Sequence, residues 1–233
     1  MMNVKEMIDW LTREQREVVC GCGFTGILEL MPLTLDPQML SWIINSFNIE
    51  IGCVSVEGHI VPVTTSDVAA CFGLPQGSKD ICNGLRSTGI SAAVEEQLHI
   101  PVTEGCIVYS EVHRSLQNLE TCGTEFRVKF FVLLMYYLLC PGESDTFYRE
   151  FALFVARAGE LAEYDWSAFV FDKVVFGART AQALAVREVS RCVMFLVVSG
   201  TTYVGVMNYI PPWELLKHFP KEVVLTNLNK LGN

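Results

Sequence analysis

The sequence predicts a mostly α-helical (α+β) fold: a compact helical domain with a small N-terminal β-hairpin. Three observations carry that expectation. Apolar residues recur at helical spacing through most of the second half, residues 49–63 alternate instead, and Gly and Pro punctuate the chain between these stretches. Composition agrees. Of 233 residues, 51% are hydrophobic and 18% charged, where ordinary domains carry about 25% charged residues. A disordered chain, a collagen and a coiled-coil rod are excluded, and the length suffices to bury a sizeable core.

Taken in order, Thr12-x-x-Gln15 has the form of a capping box that opens a short helix through Val19. Gly21, Gly23 and Gly26 break it around Phe24. Asp36-Pro37 supplies a cap and a first-turn proline, and the helix that follows, Pro37 to Phe47, sets Met39, Trp42, Ile43 and Phe47 on one apolar face. Ile49 to Val63 reads as two short strands with a turn at Glu57-Gly58. Thr65 caps a helix over Ser66 to Phe72, which stops at Gly73 with Pro75 beyond it.

Residues 76–105 are rich in glycine and poor in large apolar side chains. They are expected to hold one short helix, at Ser91 to Leu98, and to act as a hinge. Helices follow at Ser110–Leu119, Glu125–Leu139, Ser144–Leu161, Trp166–Ala185 (capped by Asp165), Arg187–Val198 and Trp213–Phe219. Tyr164-Asp165-Trp166 places an aromatic residue on each side of a helix cap, which anchors that helix in a core. The expected organisation is one helical domain over residues 1–199 and a divergent tail over 200–233.

The formal charge of −9 runs against a phosphate-binding surface. Nucleic-acid binding would need Arg114, Arg127, Lys129, Arg179, Arg187 and Arg191 to converge on one face, and it is not expected. The nine cysteines are irregularly spaced, and Met1 to Leu11 carries Lys5, Glu6 and Asp9 in place of the apolar core of a signal peptide. Free thiols in a reducing compartment are expected, with Cys71, Cys140 and Cys192 acting as small hydrophobes. Cys20 and Cys22 stand one residue apart with no second pair, and His59, His99, His113 and His218 are scattered, so no metal site is expected. Phe130–Gly142 is apolar over only 13 residues, and Cys192–Trp213 is broken by Gly200, Gly205 and Pro211-Pro212. Neither is expected to cross a membrane.

Motifs for chemistry are missing. Gly73 to Lys79 lacks the spacing of a phosphate loop, and the chain has no nucleophile elbow and no dinucleotide fingerprint. A cysteine hydrolase could be assembled only by pairing some cysteine with His59, His99 or His113. The expectation is therefore no catalytic residues, no cofactor-binding residues, no metal ligands and no cofactor.

The order of short motifs resembles a known family. Leu11-Thr12-x-x-Gln15 leads to Gly23-Phe24-x-Gly26-Ile27-Leu28, then to Leu40-x-Trp42 with Phe47 downstream. Gly58-His59-Ile60-x-Pro62-Val63-Thr64 runs into Asp67-Val68 and Gly73-Leu74-Pro75-x-Gly77. Phe130 to Pro141 and Tyr164-Asp165-Trp166-x-x-Phe169-Val170 complete the pattern. It resembles the plant mobile domain ("aminotransferase-like") family, in the grass-type form related to transposon-derived genes that can carry Ulp-type protease domains. The resemblance implies an intracellular, nuclear or cytoplasmic plant protein that works through a protein partner. Gene silencing and genome maintenance are the roles it implies; recruitment as a selfish or gamete-affecting factor is a further expectation, motivated by the short, stand-alone form. A non-enzymatic protein-interaction module is thus the expected function. A cysteine hydrolase-like activity, or nucleic-acid binding inherited from a transposon ancestor, is the alternative.

Overall fold

A computed structural model describes residues 4–30, 37–56, 59–88, 102–103, 106–141, 145–157 and 160–184. The fold is mostly α with a small antiparallel sheet near the N-terminus. The described residues fall into two units. The first holds 4–30 and those from 65 to 173; the second holds 37–64 and 174–184.

The first unit begins with α1 (Val4–Asp9), which buries Val4, Met7 and Ile8 at helical spacing. The next helix, α2 (Arg13–Gly21), opens with the expected capping box: Gln15 N donates to Thr12 Oγ1 and Thr12 N donates to Gln15 Oε1. Gln15 is buried, and its Nε2 also donates to Leu119 O at 2.6 Å. One side chain thus completes a cap and ties α2 to a residue more than a hundred positions away. Arg16 Nη2 donates to Ile8 O at 2.6 Å, which satisfies a carbonyl at the end of α1.

Gly23 follows with φ +87°, in the left-handed region. It carries the chain to Phe24, whose buried ring meets Phe131 at 4.8 Å and Trp166 at 4.9 Å, edge to face. A short 3-10 turn, Thr25–Glu29, then lies against the end of α4 (Thr65–Phe72). There a Cβ on Gly26 would sit 2.6 Å from Gly73 Cα, so two backbones touch where neither residue can carry a side chain. Gly73 also has φ +59°, the left-handed stop the sequence predicts for this helix.

This unit also holds α5 (Ile81–Thr88), α6 (Tyr109–Gln117), α7 (Thr124–Leu134) and α8 (Asp145–Arg157). A two-stranded ribbon, β4 (Val102–Thr103) with β5 (Cys106–Ile107), precedes α6. Helix α7 is buried without a break from Val128 through Leu134, Lys129 included, as expected of a central helix. The predicted α-helix to Leu139 stops at Leu134. A π turn, Met135–Leu139, replaces its last part, with Cys140 N donating to Met135 O at 2.9 Å. At this wider turn Tyr136 stacks on Tyr109 at 3.6 Å, and Tyr148 Oη donates to Cys140 O at 2.7 Å. The last helix, α9 (Trp166–Leu184), starts as predicted: Asp165 Oδ1 accepts from Ala168 N and from Ser167 Oγ. The buried indole of Trp166 donates to Leu161 O at 2.7 Å. Residues from 174 onward in α9 count with the second unit.

The second unit contains α3 (Pro37–Ser46) and a three-stranded sheet of order β1 (Phe47–Asn48), β2 (Cys53–Val56), β3 (His59–Pro62). The hairpin is the predicted one, and β1 extends it. Phe47 pairs with Val54 on the covered face. Pro62, which has no N–H to donate, sits on the edge strand β3, where proline is tolerated.

Two further expectations are corrected. Trp42 does not join the buried face of α3; it is exposed, and Ile44 is buried with Ile43 and Phe47 instead. The chain leaves the helix at Ser46, so Phe47 reaches the core from β1 rather than from the helix face. The second concerns residues 76–105, where α5 forms over residues that the sequence leaves as loop. Residues 76–88 belong to the first unit. The helices expected at Ser91–Leu98, Arg187–Val198 and Trp213–Phe219 lie outside the described residues, as do Cys192–Trp213 and the tail 200–233.

Candidate functional site

The second unit carries a cleft of about 800 Å³. The C-terminal end of α3 contributes Asn45, β1 Asn48 and the loop after it Glu50, while β2 contributes Ser55 and α9 contributes Arg179 and Gln182. Local chemistry explains this polar floor. Asn48 Oδ1 accepts from Glu50 N at 3.0 Å and Ile51 N at 3.3 Å, an Asx turn that folds the chain back after β1. Gln182 Nε2 donates to Ile44 O at 2.7 Å and Phe47 O at 2.8 Å, satisfying carbonyls that the end of α3 leaves without helical partners.

Among the described residues, five large hydrophobic side chains are exposed, and four of them neighbour a lining residue along the chain, along a helix or across a strand pair. Ile51 (65% exposed) follows Glu50 in the chain, and Ile60 (68%) is the cross-strand partner of Ser55 on one sheet face. Phe176 (65%) lies one turn before Arg179 on α9, and Trp42 (40%) one turn before Asn45 on α3. Arg179 and Glu50 are both exposed, and neither has an ion-pair partner among the described residues.

Of the residues that the sequence singles out, Arg179 lines the cleft and His59 stands on β3 of the same unit, but no cysteine or histidine is among the lining residues. His113 lies in the first unit, 1% exposed, with the Trp10 ring 4.7 Å away edge-on and Tyr137 at 6.1 Å. Neither ring nitrogen has a hydrogen-bond partner, a thiol included. Burial pushes its pKa below the usual imidazole value, with the Glu6 carboxylate opposing the shift. Burial pushes the Cys22 thiol up, against the pull of the Arg127 guanidinium, which works against thiolate formation. Cys20 and Cys82 are exposed, Cys71 is half-buried, and Cys53 and Cys140 are buried. No three His, Cys, Asp or Glu side chains among the described residues come together as a metal site. No helix among them is long and apolar enough to cross a membrane. His99, His218 and Cys192 lie outside the described residues.

The candidate phosphate loop has a structural role. Gly77 N donates to Tyr164 O, Lys79 N to Glu163 O, and Asp165 N to Lys79 O, which clasps residues 76–79 to the start of α9. A Cβ on Gly77 would fall 2.1 Å from the Glu163 carbonyl carbon, so this crossing requires glycine. Lys79 pairs with Glu163, and that hydrogen bond first of all raises its pKa. Of the basic residues considered for nucleic acid, Lys129 is buried, paired with Glu125 and donating to Ser115 Oγ at 2.7 Å. Arg127 donates to Val155 O at 3.1 Å, while Arg114 and Arg179 are exposed. Arg187 and Arg191 lie outside the described residues.

A family model described as a domain of unknown function (DUF8566) matches residues 1–197. The chain belongs to the DUF8566 family. The DUF8566 match takes in every described residue, the cleft and both units included. No curated protein and no solved structure matches the chain.

Sequence reasoning missed the cleft. Its lining residues are ordinary polar types with no motif, and Arg179 and Gln182 lie more than a hundred positions from the others. The detectable signal is Trp42, Ile51 and Ile60 close in sequence to Asn48 and Glu50, although their pattern also fits core and strand.

Proposed function

We propose that this DUF8566 chain is a non-enzymatic protein-interaction module that engages a protein through the second unit. The observation that carries this reading is a set of four large, exposed apolar side chains, each neighbouring a residue that lines one cleft. Exposed apolar side chains near hydrogen-bonding amides suit a protein surface, whose side chains supply both kinds of contact. The resemblance to the plant mobile domain supports the same reading. On it, the chain acts inside the cell, in the nucleus or cytoplasm, in gene silencing or genome maintenance.

Affinity capture from plant tissue tests it, comparing the tagged full chain with an Ile60→Glu/Phe176→Glu variant whose circular dichroism is unchanged. The expected result is a stoichiometric partner held by the wild type and lost by the variant. A partner retained equally by both, or no retained protein at all, overturns the reading.

A further inference from the structure

We infer that the cleft face of the second unit pairs with a second copy of this chain, Arg179 of one protomer meeting Glu50 of the partner subunit about a two-fold axis. This inference rests on the reading of that face as an interaction surface and names its occupant.

The argument begins with charge. The chain carries a net −9, so most approaches of one copy to another are repulsive. The lining of the cleft is different: one cation, Arg179, one anion, Glu50, and otherwise neutral residues. Both charges are exposed, and neither is met by an opposite charge among the described residues. A partner surface of a single sign would answer one of them and repel the other. A second copy answers both. In a two-fold interface each contact occurs twice with roles exchanged, so Arg179 against the partner's Glu50 is repeated as Glu50 against the partner's Arg179.

Shape points the same way. The face holds a hollow and a projection side by side: the cleft, and Phe176 standing out of α9 one turn from Arg179. Two-fold pairing gives each Phe176 ring a cleft on the opposite protomer to enter. Ile51, Ile60 and Trp42, each neighbouring a lining residue, then supply apolar area. The contact is made by side chains and not by a continuous sheet. Pro62 removes a donor from the edge strand β3, and the opposite edge, β1, has only two residues.

Sedimentation equilibrium on the full chain, with four proteins, decides it. The wild type is expected to sediment at twice the chain mass at micromolar concentration. Arg179→Glu and Glu50→Arg, each alone, place like charges opposite one another twice and are expected to weaken dimerisation at least tenfold. The combined Arg179→Glu/Glu50→Arg chain, and an equimolar mixture of the two single variants, are expected to recover the dimer. A wild type that stays monomeric to 200 micromolar overturns the inference, as do single reversals without effect or a charge exchange that fails to restore association. A monomeric wild type that still loses a captured partner in the Ile60→Glu/Phe176→Glu variant would remove the self-pairing alone and leave the interaction-module reading standing.

Discussion

The first unit buries nearly all of its large apolar side chains among the described residues, while the second buries some and leaves several in water. In the first, Phe24, Phe131, Phe151 and Trp166 are essentially without solvent contact and meet ring against ring, with Trp166 edge-on to Phe24 and Phe151. In the second, Phe176, Ile60 and Ile51 keep about two thirds of their surface in water. Both patterns come from one composition, so hydrophobic content alone does not decide where an apolar residue works. Helices that pack on several sides can absorb rings all round, as α7 does. A three-stranded sheet with one covered face leaves the other to solvent, and a side chain there is available to a partner.

The strongest way to break this contrast is Trp166→Ala. It removes a fully buried indole with its hydrogen bond to Leu161 and four ring contacts, to Phe24, Phe131, Phe151 and Phe154, and should cost about 3–5 kcal/mol. Urea denaturation measures this as a lowered midpoint. A loss below about 1 kcal/mol would mean that the first unit is not organised around that ring.

An intermediate effect concerns His113, the imperfection inside the well-packed unit. Its two ring nitrogens are buried without partners, a desolvation cost of about 1–3 kcal/mol. Folding holds the ring neutral, with a pKa below the usual 6.5. The unfolded chain therefore takes up a proton as pH falls through that value, while the folded chain does not. Stability is full above the unfolded pKa and is lost as pH falls toward the depressed folded one. His113→Leu should be as stable as the wild type or more so at neutral pH, and should lose less between about pH 7.5 and about pH 5.5. Equal losses in both proteins would remove His113 as the source.

The smallest effect sharpens the comparison from the other side. Ile60→Thr and Phe176→Ser, measured where the chain is monomeric, should each stay within about 0.5 kcal/mol of the wild type. A cost above about 2 kcal/mol would show these side chains packed into the unit's own core.

Where local chemistry is sufficient, the sequence is readable. Thr12 and Gln15 form their capping box, Asp165 caps α9, and Gly73 ends α4, because each acts within four residues of itself. Helix α5 shows the opposite case. Gly84 lowers its helix propensity, yet the same missing side chain lets the Phe154 ring approach to where a Cβ would stand, 2.7 Å from Cε2. The packing that stabilises the helix is supplied by α8, seventy residues further along the chain. The Gly73 to Lys79 segment is likewise readable as a glycine-ended helix stop, but not as the clasp on residues 163–165.

The sequence by itself determined the helical class, the hairpin, the capped helix starts and the scarcity of catalytic motifs, all of which follow from periodicity and short-range hydrogen bonding. Only the tertiary structure decided which face of α3 is buried, that Lys129 and His113 lie inside, and that Asn48, Glu50, Arg179 and Gln182 share one cleft. Those outcomes depend on which distant segments meet, and pairwise contact across a hundred residues leaves no periodic trace in a single chain.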